Sequence, residues 1–290
     1  MELRAYISLF KLRICGLITF SAIVGYIAAL PSTTLSFYNI VLLTVATMLA
    51  AMSASAFNHY FERDIDAVMN RTRSRPLVIE KSLHPAVVIA IALGLLLVAL
   101  LLSVKALNYM VALHLGLGAF VYAVIYTVWL KRRSWLNIII GGLAGSFAVL
   151  AGGASASPGL CMQPVLLAIV MFFWTPSHFW SFAILHAEDY RKAGIPMLPV
   201  VIGYQKTALY IMLNSILLVL SSLLPFVLGY NGLIYLVGAV VSGAYLLRWN
   251  GRLLNDMSQE ILRKNFMASM VYLAMLFGAL IVDTIVRYSQ

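Results

Sequence analysis

The chain has 290 residues, of which 62% are hydrophobic and only 10% charged, and its mean hydropathy is +0.95. Apolar runs that reach about 20 residues exclude a soluble globular domain and indicate a polytopic membrane protein. The formal net charge of +10 reads first as membrane topology and second as attraction for an anionic substrate or anionic lipid headgroups, so the lipid bilayer is an expected partner and nucleic acid is not.

In chain order, the apolar runs predict nine transmembrane helices at 12–30, 39–60, 84–104, 107–130, 136–155, 163–186, 207–229, 232–249 and 266–286. The fold class expected is all-α: residues 1–290 form a single transmembrane domain with its helices around a central cavity. The first run follows Arg4, Lys11 and Arg13 and has no small-residue cleavage site after it, so it reads as a retained span. Of the 20 basic residues, 18 lie in the N-terminus or in loops that follow even-numbered spans, Lys81 among them; only Lys105 and Arg287 fall on the other side. That bias places the N-terminus in the cytoplasm and the C-terminus outside. Nine of the ten acids share the cytoplasmic face, which topology does not require and a functional site does.

The charged loops also suggest internal repetition. Asp66 and Asp189 are 123 residues apart, and Lys131 and Arg252 are 121 apart. Four helices with their loops therefore recur as a parallel pseudo-repeat, followed by a ninth helix, and the two acidic loops face one another across one cavity. In the fifth span, Gly141, Gly142, Gly145, Gly152 and Gly153 allow close helix packing. Pro176 is expected to kink the sixth. Cys15 and Cys161 carry no disulfide or metal motif and read as apolar fillers.

The second span ends in Asn58, Glu62 and Asp66, spaced i, i+4, i+8, so on a continuing helix all three project to one side. Two carboxylates and an amide suit magnesium, which commonly bridges protein carboxylates to substrate phosphates. Asp64 points the other way. Arg71, Arg73 and Arg75 follow within a few turns, and Arg71 and Arg75 are the candidates for bidentate contact with diphosphate oxygens. Lys131 and Arg132 end the fourth span and serve either as a topogenic stop or as stabilisers of a leaving diphosphate. In the second acidic loop the candidate is Asp189, with Tyr190 beside it. His178 stands among aromatic residues next to Pro176, with Trp174 one turn before it, and reads as an acceptor-binding residue. His114 lies in mid-span and favours a structural hydrogen bond.

At Asn58, Glu62, Asp66, Arg71 and Arg75, at Trp174-Thr-Pro-Ser-His178, and at Asp189-Tyr190 with Ala193-Gly-Ile-Pro196-Met-Leu-Pro199, the chain resembles the UbiA superfamily of intramembrane prenyltransferases, in particular its haem-farnesylating branch. Glu62 stands where that superfamily usually has Asp. The resemblance implies transfer of a farnesyl group from farnesyl diphosphate to a vinyl group of haem B, giving haem O, with Mg2+ as cofactor and haem B as substrate. It further implies a bacterial inner membrane and a terminal oxidase or haem-modifying enzyme as partner. Two alternatives stay open. One is a prenyltransferase acting on an aromatic acceptor of the 4-hydroxybenzoate type; the other is a secondary transporter, whose site would lie nearer the bilayer midplane.

Overall fold

The computed structural model describes residues 7–30, 35–79 and 84–288; Arg4 and Lys81 of the topology argument lie outside them. The described residues form a helical bundle without strands. Its long helices are α1 (Leu12–Ala28), α2 (Phe37–Phe61), α3 (Pro85–Leu107), α4 (Tyr109–Leu130), α5 (Asn137–Ala156), α6 (Met162–Leu185), α7 (Tyr204–Val227), α8 (Leu233–Asn255) and α9 (Gln259–Tyr288). Eight of these are long and apolar enough to cross a membrane, and α1 is a shorter apolar helix of 17 residues. The chain is an integral membrane protein, and its helices match the nine predicted spans. The largest differences are at α8 and α9, which meet through a loop at 256–258 because polar residues there continue both helices past the apolar window.

The two halves repeat a neighbour pattern: α1 packs on α2 as α5 packs on α6, α2 on α3 as α6 on α7, and α4 on α5 as α8 on α9. The halves join where α1 crosses α5. A Cβ on Gly152 would stand 1.8 Å from the Ala22 carbonyl oxygen, and one on Gly25 would stand 2.1 Å from that of Val149. Both glycines are required by backbone contact. Gly141, Gly142 and Gly145 line the central cavity, yet Gly141 is also packed closely, against the Tyr126 ring, and Gly142 against Thr175, while Gly152 and Gly153 lie against α1 and Pro164.

Pro176 lies inside a continuous α6, and one residue beyond the Phe172 carbonyl whose helical donor it removes, Asn214 Nδ2 of α7 bonds the Phe173 carbonyl at 2.6 Å. Helix α4 widens to π geometry over Val121–Leu130, with Lys131 N bonded to the Tyr126 carbonyl five residues back. Such wide turns change which side chains face inward. At the end of the bundle that carries the basic loops, short helices at Arg63–Val68, Pro76–Ile79, Ala187–Lys192 and Leu198–Ile202 close over the bundle.

Candidate active site

Helix α2 stops at Phe61, and Glu62 has φ −98° and ψ 3°, so the helix breaks within the acidic run. The i to i−4 bonds nevertheless continue: Glu62 N bonds the Asn58 carbonyl at 3.0 Å and Asp66 N bonds the Glu62 carbonyl at 2.7 Å. That continuity keeps Asn58, Glu62 and Asp66 on one side, as their spacing predicts, and each is 2% exposed. Ionised carboxylates at this depth need partners. Glu62 is ion-paired to Lys131 and stands 3.6 Å from Arg75, while Asp66 Oδ2 accepts from Arg75 Nη1 at 2.6 Å.

Asn58 is held between two helices: its Nδ2 donates to Thr127 Oγ1 of α4 at 3.2 Å, and its Oδ1 accepts from Lys11 Nζ at 2.6 Å. Lys11 was legible only as a topogenic charge. The fold brings it here because it precedes α1 in the left-handed conformation, with φ 45°, which turns the side chain back into the bundle. Burial, followed by repulsion from Arg75, brings its ammonium down to about 7.

The two acidic loops meet. Asp189 of the Ala187–Lys192 turn accepts from Asn70 Nδ2 and from the Arg71 backbone N–H, both at 3.2 Å. The Arg71 guanidinium lies 5.2 Å from the centre of the Phe182 ring, and Tyr190 is buried close by. Arg132, in contrast, does not join the cluster. It turns outward to form two bonds with the exposed Asp64, at 2.7 and 2.8 Å, and one with the Phe61 carbonyl. After the π turns of α4, Lys131 faces inward against Glu62 and Arg132 outward against Asp64, so of the two the structure brings only Lys131 to the buried carboxylates.

The charges show what the cluster lacks. Burial alone would raise the Glu62 carboxyl, but Lys131, Lys11 and Arg75 together hold it below its ordinary value. Asp66 stays above its ordinary value through burial, which Arg75 opposes and Glu62 reinforces. One carboxylate is therefore still short of positive charge. Around it, Lys11, Arg71, Arg75 and Lys131 present more cations than Glu62 and Asp66 neutralise. A divalent metal carried by an anion of several charges satisfies both demands, so the donor set fits magnesium shared with a diphosphate. Among the described residues no three His, Cys, Asp or Glu side chains gather as a metal-binding group.

Along α6 a column of rings leads away from Arg71: Phe182 lies 5.7 Å from Phe266, Phe266 lies 4.4 Å from His178, and His178 stacks on Trp174 at 4.4 Å. Trp174 Nε1 donates to the Ser269 carbonyl at 2.8 Å. The Ser269 hydroxyl donates its one proton to the Phe266 carbonyl, so toward His178 Nδ1, at 2.8 Å, it accepts. In that arrangement the imidazole proton sits on Nδ1 and the free lone pair on Nε2, which is then the ring nitrogen able to ligate a metal.

A central cavity of about 210 Å³ begins at Lys11 and Ser55 and runs between α1, α2, α4 and α5 to Thr47 and His114, walled largely by Ala and Gly. An apolar groove of about 430 Å³ lies between α4, α5 and α6, and His114 borders it as well.

The sequence model of the UbiA prenyltransferase family matches residues 18–277. Protoheme IX farnesyltransferase 1 of Paramagnetospirillum magneticum is 50% identical over 283 residues, which are 98% of this chain and 99% of that protein. The bundle is similar to the solved structure of a digeranylgeranylglyceryl phosphate synthase, with TM-score 0.82, 21% identity and coverage of 98% and 99% of the two chains. It also resembles a UbiA homolog from Archaeoglobus fulgidus bound to DMAPP and Mg2+, with TM-score 0.71, 19% identity and coverage of 96% and 98%.

Proposed function

The chain belongs to the UbiA prenyltransferase family, and from that premise we propose that it transfers a farnesyl group from farnesyl diphosphate to a vinyl group of haem B, giving haem O. The observation that carries a diphosphate enzyme is the buried Asn58, Glu62 and Asp66 set ringed by Lys11, Arg75 and Lys131. The acceptor follows from the relative that this chain matches along nearly its whole length.

Asn58, Glu62 and Asp66 would hold Mg2+, which offsets charge on the departing diphosphate. Lys11, Arg71, Arg75 and Lys131 bind the diphosphate oxygens and stabilise the negative charge that builds as the farnesyl C1–O bond breaks, its electrons leaving with the diphosphate. Asp189 positions Arg71 through its backbone N–H. The allylic cation needs a dry enclosure, which the Ala and Gly walls of the central cavity and the Tyr122 ring that lines it provide. The terminal vinyl carbon of haem attacks C1 and forms the new carbon–carbon bond. Positive charge is left on the vinyl carbon beside the porphyrin; water captures it and releases a proton, giving the hydroxyethylfarnesyl group.

His178 is the proposed acceptor ligand. Its Nε2 lone pair serves as an axial ligand to haem iron, Ser269 fixes the ring, and Trp174 stacks against it. Tyr190 packs beside Arg71 at the junction of the two substrates. The basic end of the bundle is cytoplasmic, in a bacterial inner membrane, and a terminal oxidase or haem-modifying enzyme receives the product. Haems extracted from membranes with and without the protein, resolved by mass, test the reading: haem O is expected only with the protein, and its absence refutes the proposal.

A further inference from the structure

We propose that His114 is the floor of the prenyl chamber and sets the length of chain the enzyme accepts, in concert with Phe147. This rests on the prenyl diphosphate reading of the Asn58 site and deepens it. Two contacts fix the register of α2 against α4: Asn58 bonds Thr127 and Glu62 pairs with Lys131, each 69 residues along the chain. That register puts Thr47 level with residues 114–116 of α4, and Thr47 and His114 both line the far end of the chamber.

From Asn58 to Thr47 is about 16 Å at 1.5 Å per helical residue. An isoprene unit adds four main-chain bonds, about 5 Å when extended with bonds near 1.5 Å. Three units fill that depth. A fourth has no room, because there the imidazole of His114 stands 6.2 Å from the Phe147 ring, and both rings also border the apolar groove on the other side. His114 Nδ1 is buried without a hydrogen-bond partner, and the ring's one polar contact is with the Met110 backbone of its own helix, so no other helix ties the ring in place. The His114 ring, with Phe147 beside it on the groove side, thus stands between a chamber of about 210 Å³ and a groove of about 430 Å³ that would receive a longer chain.

The test offers the protein an equimolar mixture of farnesyl and geranylgeranyl diphosphates with haem B and reads the two adducts by mass. His114→Ala should raise the geranylgeranyl-to-farnesyl ratio by about tenfold or more, the discrimination that added methylene groups meet in an apolar pocket, and His114→Phe should keep the original ratio. Ala51→Leu gives an independent reading. It fills the chamber about 10 Å from Asn58, by the same rise per residue, so it should suppress farnesyl transfer while geranyl transfer survives. An unchanged ratio in His114→Ala, or equal loss of farnesyl and geranyl transfer in Ala51→Leu, overturns the inference. Failure of the unsubstituted protein to form any farnesyl adduct would instead overturn the reading beneath it.

Discussion

Lys131 at the end of α4 is ion-paired to Glu62 at the end of α2, with both side chains almost fully withdrawn from solvent. A buried pair is weak evidence for stability, since desolvation offsets its attraction, but removing one member strands the other. Lys131→Ala should therefore destabilise the protein by about 3–5 kcal/mol, because Arg75 at 3.6 Å is left as the nearest partner of Glu62. Thermal unfolding in detergent measures this. The double variant with Glu62→Gln should regain most of the lost stability without regaining turnover, and full recovery of turnover would remove both residues from the site.

Asp66→Asn and Asn58→Ala should abolish prenyl transfer while leaving the bundle folded. Asp66→Asn keeps the shape of the side chain and leaves Arg75 beside Glu62 at 3.6 Å, and Asn58→Ala leaves no charge unpaired by its own loss. Chelation of divalent metal should stop the unsubstituted enzyme, and added magnesium should restore it. In Asp66→Asn magnesium should restore nothing. Near-normal turnover of that variant at saturating magnesium would sink the metal assignment.

Glu62→Asp separates metal binding from packing. The variant restores the residue usual at this position in the family that the sequence resembles, but draws the carboxylate back by one carbon–carbon bond of about 1.5 Å, away from Lys131. Turnover should survive and thermal stability should fall. Loss of turnover with unchanged stability would mean that the longer side chain itself positions the substrate.

The two arginine roles diverge. Arg75→Ala should weaken farnesyl diphosphate binding strongly, since this guanidinium serves both buried carboxylates. Arg132→Ala removes an exposed pair with Asp64 and should change stability by less than about 1 kcal/mol, with little effect on substrate affinity. Separate titration of each substrate decides between them.

This contrast marks where the sequence stopped being informative. Asn58, Glu62 and Asp66 were legible because hydrogen bonding carries an α-helical phase across the break at Glu62. Lys131 and Arg132 were not separable, since the π segment over Val121–Leu130 shifts the phase of everything after it and no local signal announces it. Lys11 was missed for another reason. Its place depends on one left-handed residue and a contact 47 residues away, both products of the assembled bundle. The spans themselves were read almost completely, because hydrophobic length is a property of the chain alone. Which glycines pack and which line a cavity, as Gly152 and Gly145 show, is decided between helices.

His178 provides the sharpest test of the acceptor. Its ring is oriented by Ser269, whose own proton is committed to the Phe266 carbonyl, so Ser269→Ala should free the tautomer without removing the ligand. Loss of such an orienting partner typically lowers affinity by about 10- to 100-fold at ligating histidines. Haem titration followed in the Soret band should show weaker binding for Ser269→Ala and loss of the His-ligated spectrum for His178→Ala, with farnesyl diphosphate affinity unchanged in both. Restoration of the spectrum by free imidazole in His178→Ala would identify the missing group as the ligand itself. If haem affinity, spectrum and rate all stay as they are in His178→Ala, the histidine is a packing residue between Trp174 and Phe266, and iron is held elsewhere.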